Sequence, residues 1–264
     1  MLHLSGVPSF IDWHWLWLAV AAFLAGILNA VAGGGSFLSF PAMLGMKILP
    51  IQANATNSVA IWPGQLTSIA GYNHDIRRNP RMALLMALAG LLGGSSGALV
   101  LLHTPQMTFM HLVPWLLLTA AIIFAVSGPV SRKLESRKVV SAPIKPSPRL
   151  PVFLAITAIC FYIGYFGAGA GFLIITALSI LGWKDLHEIN ALKVSATTPA
   201  NGIACILFIT GGQVVWNCCL LAMVVCAIGG YLSARMARRV PQALLRAIIV
   251  VIGLSMAAWF FWRQ

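Results

Sequence analysis

Long apolar runs separated by short polar stretches dominate the chain. Eight of them, at 13–32, 53–73, 82–102, 109–128, 150–168, 194–210, 214–234 and 243–262, each come near the about 20 residues that a bilayer asks of a helix. Two shorter apolar pieces, 36–46 and 172–183, each follow a cluster of glycines. The pattern predicts an all-α polytopic membrane protein with eight long hydrophobic segments plus two short half-helices. A half-helix of 11 or 12 residues would span about 17 Å, roughly half the hydrocarbon core.

The pattern occurs twice, at a constant offset of 136 residues. Ala32-Gly33-Gly34-Gly35 falls on Ala168-Gly169-Ala170-Gly171, and Asn54-Ala55 on Asn190-Ala191. Pro63 meets Pro199, Gly93-Gly94 meets Gly229-Gly230, and Pro105-Gln106 meets Pro241-Gln242. Rare residue types in register define two membrane repeats, 1–128 and 150–264, joined by a linker at 129–149. An internal repeat with Gly-broken helices is the sequence mark of a carrier whose site lies between its halves.

Composition and charge sharpen this. The chain is 59% hydrophobic and only 8% charged, which places it in lipid. A net charge of +12 would suggest nucleic acid in a soluble protein. Here the basic residues sit in short loops, so they report topology and exclude a nucleic-acid partner. Arg77, Arg78 and Arg81, the six basic residues of the linker, and Arg235, Arg238 and Arg239 mark cytoplasmic loops. Their counterparts in the other half, Gln213, Val214 and Asn217, or Leu99, Leu102 and His103, carry no Lys or Arg. Halves that are basic on opposite sides are expected of two inverted-topology repeats, with five crossings each and both termini outside. The linker, with Pro143, Pro146 and Pro148, reads as a solvated cytoplasmic connector.

The first twelve residues contain no Lys or Arg, which predicts no secretory signal peptide. The five cysteines lie inside apolar runs without metal-ligand spacing; they read as packing residues, and no metal or cofactor is expected. Trp13, Trp15, Trp17, Trp259 and Trp262 read as interfacial anchors against lipid.

Glycine lets the backbone leave helical geometry, and a helix restarting after the break presents unpaired N–H groups with partial positive charge. Two such starts, at Gly33, Gly34 and Gly35 and at Gly169 and Gly171, predict a site for an anion. Beyond each half-helix lie Asn54, Asn57 and Ser58 on one helical face, and Asn190, Lys193 and Thr197 on another. Amides and hydroxyls can hydrogen-bond an oxyanion, and Lys193 adds a charge where the first half has Asn57. The expected substrate-binding set is therefore Gly33, Gly34, Gly35, Asn54, Asn57, Gly169, Gly171, Asn190, Lys193 and Thr197. Lys193 could instead pair with Glu188 or snorkel to the surface. Gln65 and Asn201 lie one to two turns deeper at equivalent positions. For Gly90, Gly93, Gly94 and Gly97 close helix packing is the better reading.

Gly26-Ile27-Leu28-Asn29-Ala30-Val31-Ala32-Gly33-Gly34-Gly35, then Pro41, then Ala53-Asn54-Ala55-Thr56-Asn57, together with the second cluster from Gly164 to Gly171, resemble the sulfite exporter TauE/SafE family of membrane transporters. The resemblance covers nearly the whole chain. It departs at Ala170, in place of a central glycine, at Ala177 opposite Pro41, and at Lys193-Val194-Ser195. It implies secondary transport that exports a small anion, of the sulfite or organosulfonate class, across the cytoplasmic (inner) membrane, with protons as a candidate coupling ion. The alternative is a channel or permease subunit energised by a separate partner. An enzyme is not expected, since HExxH and Walker-type sequences are absent.

Overall fold

The computed structural model describes residues 13–32, 34–136, 149–167, 170–183, 185–236 and 242–263. Ten helices occur among them: α1 Trp13–Ala32, α2 Ser36–Gly45, α3 Pro50–Arg78, α4 Pro80–His103, α5 Gln106–Ser136, α6 Arg149–Tyr165, α7 Ala170–Ile180, α8 Leu186–Thr210, α9 Trp216–Met236 and α10 Gln242–Arg263. The starts of α1, α3, α4 and α5 recur in α6, α8, α9 and α10 at the same offset of 136. α2 and α7 are the two short pieces. Ten residues of helix rise only about 15 Å.

Local chemistry sets several of these boundaries. Pro50 and Pro80 stand in the first turns of α3 and α4, where a missing N–H costs no helical hydrogen bond. The Asn79 side chain caps α4 by accepting from the Met82 N–H, and Asp185 caps α8 by accepting from the His187 N–H. α5 continues through 129–136, so the linker expected at 129–149 begins later than its basic composition suggested. Arg132, Lys133, Leu134 and Glu135 are good helix formers, and no glycine follows Gly128 to stop them. The prolines of the linker, like residues 1–12, lie outside the described residues.

Small residues set the spacing between helices. On α4, Gly90 and Gly94 face α8, where an added Cβ would lie 2.3 Å from the Ala196 carbonyl and 2.4 Å from that of Ala200. Gly93 and Gly97 face α6, at 2.3 Å from the Thr157 carbonyl and 2.1 Å from that of Phe161. Both sets advance four residues together, so α4 runs parallel to α6 and α8. α1 and α9 meet in the same way, Gly26 against Cys226 and Gly229 against Phe23. These glycines are packing residues, as expected.

The surface is apolar in broad tracts: Leu84, Leu88, Leu92, Leu154, Ile206, Leu220, Val224 and Val251 are all exposed. Pro80–His103 and His187–Thr210 are long and apolar enough to cross a membrane. A soluble chain does not display such tracts; lipid covers them. Exposed Ser and Thr hydroxyls return to carbonyls of their own helices, as Thr119 does to Trp115 and Thr210 to Ile206, which leaves them paired in an apolar solvent. Trp13, Trp17, Trp259 and Trp262 are exposed, but Trp15 is 5% exposed. Residues two apart on a helix point to nearly opposite sides, so Trp15 is a core residue and not an anchor.

Candidate functional site

α3 and α8 are joined by two hydrogen bonds that each link residues 136 apart in the chain. Trp62 Nε1 donates to the Thr198 carbonyl at 3.2 Å, and Asn201 Nδ2 donates to Gln65 Oε1 at 2.9 Å. Pro63 and Pro199 lie within these helices beside the crossing. The helices run antiparallel: just past the C-terminal end of α8, the Val215 N–H donates to Thr56 Oγ1 near the start of α3, at 3.0 Å.

The polar residues sort into two clusters on either side of that crossing. The first lies at the start of α3. Gly34 and Gly35 are buried, and a Cβ at Gly35 would lie 2.4 Å from the Ala25 carbonyl. The chain has therefore folded back past the last turns of α1 before α2 begins. Ser39 Oγ, on α2, donates to Asn57 Oδ1. Asn54, 1% exposed, donates through Nδ2 to the Tyr165 carbonyl at the end of α6, at 3.1 Å. Its Oδ1 is buried with no hydrogen-bond partner. Ser58 Oγ donates to the Asn54 carbonyl at 2.9 Å and stands beside Gly167, whose φ of +76° turns the chain out of α6.

The second cluster lies at the start of α8. Lys193 Nζ donates to Asn190 Oδ1 at 3.0 Å. The lysine stem passes the first turn of α7, where a Cβ at Gly171 would be 3.6 Å from Lys193 Cδ. No carboxylate among the described residues comes within 4.0 Å of this ammonium, so it does not pair with Glu188. Thr197, partly buried, follows one turn on, and its carbonyl accepts from Asn201 Nδ2.

Asn54 stands eight residues before Trp62, and Asn190 eight before Thr198. Each interval is about 12 Å of helix. Since α3 and α8 are antiparallel, the first and second clusters lie on opposite sides of the crossing and do not form one cradle. Gly33 and Gly169 lie outside the described residues. Among the described residues no group of three His, Cys, Asp or Glu could hold a metal. Sequence reasoning missed Ser39, Ser58 as a neighbour of Gly167, and the Tyr165 carbonyl. A backbone acceptor at a helix end leaves no mark in residue identity.

An all-helical protein with lipid-facing walls, broken helices and polar clusters buried beside the breaks belongs to the class of membrane transporters. The family model for the sulfite exporter TauE/SafE matches residues 18–260, and the chain belongs to that family. It is 27% identical over 245 residues to a probable membrane transporter protein, ORF9, of Sinorhizobium sp, covering 91% of this chain and 89% of the relative. It is 26% identical over 249 residues to the probable membrane transporter protein YfcA of Escherichia coli K12, covering 91% and 87%. A probable membrane transporter protein of Haemophilus influenzae is 25% identical over 248 residues, 94% of each chain. No solved structure matches.

Proposed function

We propose that this protein is a secondary transporter that exports a small anion, of the sulfite or organosulfonate class, across the cytoplasmic membrane by alternating access between two inverted-topology repeats. The observation that carries the anion reading is Lys193: a partly buried ammonium with no carboxylate partner among the described residues, beside the N-terminal turn of α7. A lysine at the centre of a membrane helix costs about 2.5–3.5 kcal/mol. An anion in contact with it offsets that cost, and the N-terminal turn of α7 beside it adds the partial positive charge of a helix start. Asn190 and Thr197, one turn before and after Lys193, complete a face that can hydrogen-bond an oxyanion.

The inverted arrangement is supported by antiparallel α3 and α8 and by hydrogen bonds between equivalent residues, as a pseudo-twofold axis near Pro63 and Pro199 would place them. With Arg77, Arg78 and Arg81 on the cytoplasmic side, the start of α8 and its Lys193 cluster face the cytoplasm. That is where an exporter loads. Rocking one half on the other about the crossing would open this cluster alternately.

The test is uptake of labelled sulfite and short alkylsulfonates into inside-out vesicles. Saturable uptake by the native protein, lost in Lys193→Gln at equal protein level, supports the reading. Equal uptake by vesicles lacking the protein contradicts it.

A further inference from the structure

We propose that the C-terminal end of α6, with Asn54 and Ser58 of α3, forms a binding site for a monovalent cation of the sodium class. Among the described residues, the groups presented there are oxygen acceptors. The Asn54 amide has spent its donor arm on the Tyr165 carbonyl, and its Oδ1, attached to the same carbon, stands buried at the same helix end without a partner. Ser58 Oγ has given its proton to the Asn54 carbonyl and keeps its lone pairs. The Gly167 N–H turns back to the Tyr162 carbonyl, so it does not serve Ile163. The last carbonyls of a helix lack intrahelical donors and carry the negative end of its dipole. Among the described residues an anion would meet only lone pairs here. A divalent ion would require carboxylates, whereas neutral oxygens at a broken helix end suit Na⁺.

The other repeat supplies an internal comparison. Asn190, the equivalent of Asn54, has its Oδ1 occupied by a cation the chain itself provides, the Lys193 ammonium at 3.0 Å. The first repeat has Asn57 where the second has Lys193, and Asn57 turns to Ser39 instead. The Asn54 oxygen thus lacks the built-in charge that its counterpart has. Its site lies on the external side of the crossing, given the orientation proposed above, where an inward Na⁺ gradient would load it.

The test is equilibrium binding of ²²Na⁺ to the purified full-length protein in detergent, at constant ionic strength in choline chloride, with no anion substrate added. The native protein is expected to bind Na⁺ saturably and in preference to K⁺. Asn54→Ala and Ser58→Ala should each weaken binding about tenfold or more, which is about 1.4 kcal/mol per decade. Asn57→Lys, which places a tethered ammonium at the site, should abolish binding. Lys193→Gln should bind Na⁺ like the native protein, which separates this site from the anion site. If Asn54→Ala does not stay monodisperse, Ser58→Ala and Asn57→Lys decide. No saturable Na⁺ binding by the native protein, as when a water satisfies Asn54 Oδ1, overturns the proposal. So does native affinity in the folded variants.

Discussion

Asn201 donates a hydrogen bond to Gln65 across one full repeat length, so two residues at the same position in the two halves are direct partners. Contact between equivalent residues is what the inverted arrangement proposed above predicts close to its pseudo-twofold axis. The Trp62 bond to Thr198 places a second such pair beside the first, with Pro63 and Pro199 between them in α3 and α8.

Coupling between the amides follows. Gln65→Leu or Asn201→Leu alone leaves the other amide short of a partner in a part-buried site, at a cost of about 1–3 kcal/mol. The double substitution should cost less than the two singles together, read from thermal unfolding in detergent. Additive effects would show that the two side chains act independently.

Lys193 should separate transport from folding. Lys193→Gln should reach native levels in the membrane, because it relieves a charge in an apolar setting, yet transport at least tenfold less substrate. Lys193→Arg keeps the charge but not the compact ammonium that fits beside Gly171 and Asn190, and should fall between. Transport rates normalised to immunoblotted protein check both.

Glycines at helix contacts should behave differently from those facing open space. Gly94→Ala puts a Cβ 2.4 Å from the Ala200 carbonyl and should destabilise by about 1–3 kcal/mol, as overpacking does. Gly71→Ala, on α3 with nothing within 4 Å, should be neutral or stabilising by up to about 1 kcal/mol. Melting temperatures of the two variants in one detergent make the comparison.

Inversion itself predicts labelling. In a background without cysteines, His74→Cys, near the end of α3, should react with a membrane-impermeant thiol reagent only after cells are opened. Asn217→Cys, in the first turn of α9, should react in intact cells. Labelling of both from the same side would rule out opposed halves.

Much of the architecture was legible in the chain. Helix starts follow prolines, caps and glycine clusters, all visible as residue identities, and the 136-residue offset aligns them in both halves. The clustering of the site was less legible. Periodicity puts Asn54 and Asn57, or Asn190 and Lys193, on common faces, but it does not tell whether α3 and α8 run parallel or antiparallel. That direction decides whether the two sets meet. Nor does sequence say which arm of an amide is used. Asn54 can donate or accept, and only its place at the end of α6 shows that the donor is taken. Trp15 failed as an anchor for a simpler reason: spacing of two on a helix changes the face.

Substrate counterflow by purified protein in liposomes tests the central claim most directly. Liposomes loaded with unlabelled sulfite, or a short alkylsulfonate, and diluted into a trace of the labelled compound should accumulate label transiently. Lys193→Gln should not. Label that enters the native protein only to equilibrium, with the same course in Lys193→Gln, would contradict an alternating-access anion carrier built around Lys193.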